Sequence, residues 1–335
     1  MNKKETTINI RHVDDEAMSF RKQKKGKGYH YFDENGIKIM DKTLLNRFRK
    51  LIIPPMWTDV CICKWDDGHI QAIGRDAKGR KQYIYHSEFE KLKQEEKFAK
   101  MKDFGKALTK FRKKILQDVA ASDWNKDKVL ALIVLFLDET GIRIGNKHYA
   151  NQNGTVGLTT LRRKHFTFEN NQVIFEYKGK SNQMRHIEVD DLNLAQLIKK
   201  SAELPGYEIF RYKDSSGHFI PVDSDDVNEY IRTNMGKNFS SKDFRTWVAS
   251  RLAVELYPFA MEALDKTKKN KFSNTLIRLV AKELGNTPTV CKSFYVHPSI
   301  LQKIESKSLP NKVYIDSGMN NYKLTSSEKE VMKHI

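Results

Sequence analysis

Nine consecutive apolar residues, Val129 to Leu137 (VLALIVLFL), set the firmest limit on how this 335-residue chain can fold. A membrane-spanning helix needs about 20 such residues, so the run belongs inside protein. Lys126 to Thr140 therefore reads as a buried helix, with Gly141 as its C-terminal stop. At 39% hydrophobic the chain holds enough apolar material for a real core, and its length suits about two domains.

Around that helix the pattern changes along the chain. Residues 1–28 are polar, with a basic run from Arg21 to Lys27, and read as a mobile or loosely attached arm. From 29 to about 90 strands dominate. Tyr29–Phe32 and Ile37–Met40 flank the turn Asp33-Glu34-Asn35-Gly36 as a hairpin, and a short helix covers Lys42–Leu51 before Pro54-Pro55. Val60–Trp65, His69–Ile73 and Arg80–Tyr85 read as three further strands. Ser87 then caps a helix expected to run to about Ala121, with Phe98, Met101, Phe104, Leu108, Phe111 and Ile115 on one face. Residues 91–335 form the second domain, mostly helical. A three-stranded stretch interrupts it at Lys164–Val189, and helices are expected near 191–203, 224–235, 241–256, 272–284 and 298–306. The expected class is α+β: a small N-terminal antiparallel sheet domain and a larger, mainly helical domain with a three-stranded sheet.

Charge narrows the function. Sixty Lys+Arg stand against 42 Asp+Glu, a formal net charge of +18, which points to a polyanion, nucleic acid before an anionic membrane surface. Three cysteines do not make a disulfide framework and suit a reducing compartment. The opening MNKKETTINIRHVDDE has no apolar stretch of the secretory kind, so a cytoplasmic, nucleoid-associated protein is expected. No metal is expected. The pairs Asp66-Asp67, Asp190-Asp191 and Asp225-Asp226 sit where turns and helix starts favour Asp, and Cys61 and Cys63 have no second pair at zinc spacing. No phosphate loop of the GxxxxGK[ST] type is present, so no nucleotide cofactor is expected.

The basic residues say more. Gly74 to Tyr85 reads as two strands around a tight turn, carrying Arg75, Lys78, Arg80, Gln82, Tyr83 and Tyr85. A two-stranded ribbon fits the major groove, where Arg and Gln can bond base edges. Farther on, Arg143 follows the buried helix between Gly141 and Gly145, and Lys180 lies at a hairpin tip. Lys242-Asp243-Phe244-Arg245 opens a helix, where backbone N–H groups favour phosphate. Leu284-Gly285-Asn286-Thr287 ends another, nine residues before Tyr295.

In these ordered motifs the chain resembles the type IB DNA topoisomerases of bacteria and poxviruses, relatives of the tyrosine recombinases. Ile53–Val60, Gly74–His86, Thr140–Ala150, Gly157–His165, Tyr177–Ser181, Lys242–Arg245 and Leu284–Tyr295 carry the resemblance, which spans roughly 29–310. It implies the topoisomerase IB/tyrosine recombinase fold. Tyr295 matches the nucleophile that leaves a 3′-phosphotyrosyl link and a free 5′-hydroxyl. A phenol is mostly protonated at neutral pH, so cationic neighbours must favour its ionised form. Arg143 and Arg245 match the arginines that clamp the non-bridging oxygens, and Lys180 the general acid for the departing 5′-oxygen. Asn286 stands where poxvirus enzymes carry His; as a neutral amide it can still donate to a phosphate oxygen. Lys242 matches a phosphate contact. The implied partner is double-stranded DNA, held by a monomer that clamps the duplex, with no membrane and no small-molecule cofactor. Recombinases, the alternative, usually show His-x-x-Arg where this chain has Lys242-Asp243-Phe244-Arg245.

Overall fold

A computed structural model describes residues 9–147, 150, 154–180, 183–265, 272–314 and 322–335. The chain divides into two compact units, Met1–Glu96 and Lys97–Ile335.

In the first unit, β1 (Phe20–Lys25), β2 (Gly28–Phe32), β3 (Thr58–Ile62), β4 (Ile70–Arg75) and β5 (Lys81–Tyr85) form one antiparallel sheet in the order β2-β1-β3-β4-β5. Helix α1 (Lys42–Lys50) lays Phe48 against Phe20 and Tyr31, with ring centres 5.1 Å apart in each pair. Asp41 caps α1 through the amides of Thr43 and Leu44.

The expected N-terminal arm, residues 1–28, is corrected in its second half; residues 1–8 lie outside the described residues. Phe20–Lys25 is an internal strand, paired with β2 from Arg21↔Phe32 to Lys25↔Gly28 and with β3 from Phe20↔Ile62 to Lys22↔Val60. A strand needs an apolar anchor on one face only. Phe20 supplies it, Lys22 lies over the Tyr29 ring, and the outward lysines gave the segment its arm-like composition. Ile37–Met40, expected as a full strand, meets β2 only at the bridge Phe32↔Lys38. Asp33 closes that turn by accepting from the amides of Asn35 and Ile37.

Helix α2 (Ser87–Ala99) runs across the division between the units. The single helix expected over 87–121 is two helices, the second being α3 (Met101–Val119). The second unit is built round α4 (Lys126–Thr140), the helix expected from the apolar run. Val129 to Leu137 are all buried, and α4 ends at Gly141 with φ +58°. A Cβ there would meet Leu284 at 2.9 Å and Val248 at 3.1 Å. Strands β6 (Phe166–Glu169), β7 (Gln172–Lys178) and β8 (Met184–Val189) form the antiparallel three-stranded sheet. Helix α5 (Leu192–Glu203) follows, then a short hairpin, β9 (Arg211–Lys213) with β10 (Phe219–Pro221). The rest is helical: α6 (Ser224–Met235), α7 (Ser241–Glu255), α8 (Tyr257–Asp265), α9 (Phe272–Leu284), α10 (Pro288–Phe294), α11 (Pro298–Glu305) and α12 (Ser326–His334). The α+β class and the sheet-then-helix arrangement hold. The β9–β10 hairpin and helices α8, α10 and α12 were not anticipated.

Helix α12 is fastened by charge. Glu328, fully buried, accepts from Arg112 at 2.6 Å and from the Trp247 indole at 2.9 Å, and Arg112 also grips Asp138 at 2.6 Å. Burial would push the Glu328 carboxyl up, but Arg112 and the lesser pull of Arg251 hold it down to about 2.

Candidate active site

The C-terminal end of α9 gathers three arginines from three distant elements. Its last carbonyls lack partners within the helix. Arg185, from β8, donates to the carbonyls of Lys282 (3.1 Å) and Glu283 (2.7 Å). Arg245, from α7, donates to Leu284 (3.0 Å), and Arg143, in the segment after α4, to Gly285 (3.1 Å). Arg245 also donates to the Gly141 carbonyl, at the end of α4. Two helix C-termini, each the negative end of its dipole, thus hold the guanidinium groups. Gly285 ends α9 at φ +58°, and a Cβ there would lie 2.0 Å from an Arg185 nitrogen.

Holding cations by carbonyls leaves their charge uncancelled. Burial lowers the pKa of Arg143, with Tyr295 opposing and Arg185 adding to the fall. Arg245 is only 4% exposed, and burial together with Arg143 pushes it down to about 10 against the pull of Tyr295. Both remain protonated at neutral pH. The like charges of Arg143 and Arg245 oppose each other, and an anion placed among them relieves that repulsion.

Asn286 and Tyr295 complete the cluster. The Asn286 amide N–H returns to the Ala281 carbonyl at 2.9 Å, and its side-chain oxygen accepts from Arg143. Its Nδ2 is buried with no hydrogen-bond partner, a donor ready for an oxygen ligand. Thr287 caps α10, with Pro288 at its first position. Tyr295 leaves that helix at φ −123°, ψ −45°, and its ring centre lies 5.1 Å from the Arg245 guanidinium carbon. Arg143, Lys180, Arg185 and Arg245 line one open pocket with Tyr177 and Leu284. Lys180 is exposed just beyond β7; Ser181 and Asn182, the rest of its expected turn, lie outside the described residues. Lys242 stands exposed in the first turn of α7 and is not among the residues lining that pocket.

The N-terminal candidates divide. Tyr83 and Tyr85 lie on the exposed face of β5, rings stacked at 5.9 Å, while Gln82 points to the other face. Arg80 is paired to Asp76 at 2.6 Å, and Gln82 donates to the same carboxylate at 3.1 Å. Asp76 also accepts the amides of Lys78 and Arg80, and its hydrogen bonds, led by Arg80, hold its pKa down to about 2. Arg75 donates to the Gly79 carbonyl at 2.9 Å and lies 3.6 Å from Asp59. Lys78 is exposed at the turn.

Sequence reasoning missed Arg185. Its signal was a charge at an inward position: Arg185, Ile187 and Val189 alternate as the buried face of β8. Buried arginines are rare unless they hold something.

Residues 86–318 match the family described as eukaryotic DNA topoisomerase I, catalytic core. Residues 28–76 match the bacterial DNA topoisomerase IB N-terminal domain. The chain is 32% identical to DNA topoisomerase 1B of Acanthamoeba polyphaga mimivirus over 280 residues, 80% of this chain and 81% of that protein. It is 26% identical to DNA topoisomerase I of monkeypox virus over 267 residues, 76% of this chain and 80% of that protein. A solved structure of the XerH site-specific recombinase bound to its difH substrate covers 61% of this chain and 52% of its own, at 16% identity and a TM-score of 0.36.

Proposed function

The chain belongs to the type IB DNA topoisomerase family, and on that premise we propose that it relaxes supercoiled duplex DNA without ATP or metal, through a covalent link to Tyr295. The Tyr295 oxygen attacks a scissile phosphate and gives up its proton to solvent water. A bond forms from that oxygen to phosphorus while the bond to the 5′-oxygen breaks, leaving a 3′-phosphotyrosyl strand. Arg143 and Arg245 bind the non-bridging oxygens where charge builds up, and Nδ2 of Asn286 donates a further hydrogen bond. Lys180 protonates the leaving 5′-oxygen, which is otherwise a poor leaving group.

The broken strand rotates about the intact one, and the 5′-hydroxyl then attacks the tyrosyl ester. Bond energy stored in that ester drives resealing, so ATP is unnecessary. Fixed cations do the work that a metal does in other phosphoryl transfers. The enzyme acts as a monomer, holding duplex DNA through the β5 tyrosines, Lys78 and Arg75 of one unit and through Lys242 and the basic pocket of the other. Among the described residues no helix is long and apolar enough to cross a membrane, and a DNA substrate places the protein with the nucleoid.

One observation carries this reading: among the described residues Arg143 and Arg245 have no carboxylate partner, Arg143 holds the Asn286 side-chain oxygen while Nδ2 stays unpaired, and Arg245 lies beside the half-buried Tyr295 ring. Negatively supercoiled plasmid, incubated in EDTA without ATP, should be relaxed, and Tyr295→Phe should abolish both relaxation and the adduct trapped by detergent. No relaxation by the wild type across a range of salt, or an adduct that survives Tyr295→Phe, overturns it.

A further inference from the structure

Helix α10 delivers Tyr295, yet it is only seven residues long and closes with little help of its own. The Cys291 carbonyl accepts from the amides of Tyr295 (3.0 Å) and Val296 (3.1 Å). The Phe294 carbonyl, one peptide bond before the nucleophile, accepts from the side-chain ammonium of Lys97. That peptide plane sets the direction in which Tyr295 leaves the helix. The Lys97 nitrogen also lies 4.3 Å from the Phe98 ring centre and 5.9 Å from that of Tyr295. Phe98 itself is buried and packs edge-on against His297 at 5.3 Å. The His297 amide is anchored to the Ser250 hydroxyl at 3.0 Å. Lys97 therefore holds the backbone just before Tyr295, and Phe98 packs on the side chain of His297 just after it.

We propose that Lys97 is a positioning residue for the nucleophile: by closing the last turn of α10 it holds free Tyr295 in the attacking conformation. The inference rests on Tyr295 being the nucleophile. Lys97 is poorly suited to a purely structural role. Among the described residues it has no ion-pair partner, because Lys100 takes the nearby Asp243 at 2.7 Å. Burial, with Lys100 adding to it and Asp243 only partly offsetting it, pushes its ammonium down to about 8. A cation held that far below its ordinary pKa makes the fold less stable at neutral pH than a neutral side chain of similar length. Methionine has nearly the same stem and suits an aromatic setting.

Positioning a free nucleophile has a kinetic signature. Before cleavage, Tyr295 must be held by the protein; after cleavage, the phosphodiester holds it. Removing Lys97 should therefore slow attack by Tyr295 and leave attack by the 5′-hydroxyl nearly unchanged. The experiment measures single-turnover adduct formation on a duplex that loses its short leaving strand. Religation is then started from preformed adduct by adding a 5′-hydroxyl strand. Lys97→Met should cut the cleavage rate about tenfold or more, with religation and DNA affinity within about twofold of wild type. Its melting temperature should be equal or higher. Lys97→Arg, which can still donate to the Phe294 carbonyl, should cleave faster than Lys97→Met. Wild-type cleavage by Lys97→Met, or equal losses in both directions with a lowered melting temperature, overturns the proposal. An adduct that persists in Tyr295→Phe overturns the nucleophile assignment instead.

Discussion

Two basic regions of this protein treat the same residue types in opposite ways. On the β4–β5 ribbon, Arg80 and Gln82 close on Asp76, and Arg75 leans toward Asp59. At the end of α9, Arg143, Arg185 and Arg245 bond backbone carbonyls. Carbonyls orient a guanidinium without cancelling its charge, whereas a carboxylate does both. Part of the ribbon's charge is therefore spent within the protein, which leaves its exposed tyrosines, Lys78 and the loosely held Arg75 for a partner. The arginine cluster remains short of negative charge, which in the proposed reaction the scissile phosphate would supply. Net charge does not distinguish the two regions; the identity of the acceptor does.

The contrast can be broken at several points. Of three such changes, removing the proposed proton donor should cost most: Lys180→Ala is expected to slow cleavage by about 100-fold or more. Replacing the bridging 5′-oxygen with sulfur, a leaving group that needs no proton, should restore most of that loss. If sulfur gives no recovery, Lys180 has another role. Next in size is Arg185→Met, which leaves the Lys282 and Glu283 carbonyls without their donor and loosens Gly285 and Asn286. About tenfold slower cleavage with nearly unchanged DNA affinity is expected, since Arg185 acts through the residues it seats. A loss confined to DNA affinity would contradict that. The ribbon should respond least. Asp76→Asn frees Arg80 from its carboxylate and should tighten DNA binding by about two- to threefold at low salt, with a steeper salt dependence. Weaker binding would mean that the clamped turn itself is the recognition shape.

Periodic features of this fold are legible in the sequence, and features set by a partner's geometry are not. The apolar run marks α4 and Gly141 its end, because an all-apolar helix shorter than a membrane has one place to go. The strands of 58–85 and 166–189 show through alternation and turn residues. Phe20–Lys25 does not, since five of its six residues are polar and one half-buried ring anchors it. Helix α10 is under two turns and has no period to read, though Thr287-Pro288 marks its start. At the site, Tyr295, Arg143, Arg245, Lys180 and Asn286 are picked out by the family resemblance that the ordered motifs carry. That an arginine in a strand reaches the end of α9, and a lysine in the last turn of α2 the end of α10, depends on tertiary packing. Gln82 was grouped with Tyr83 and Tyr85, and strand alternation separates them.

The central claim is that the carbonyl-held arginines act through uncancelled charge on the scissile phosphate. The most direct measurement compares wild type and Arg245→Ala on two duplexes, one with an ordinary scissile phosphate and one with a neutral methylphosphonate. On the phosphate, Arg245→Ala should lose about 1,000-fold in cleavage rate. On the methylphosphonate, where a negative oxygen is replaced by methyl, most of that loss should vanish. Equal losses on both substrates would mean that Arg245 serves the fold of the site and not the charge of the phosphate.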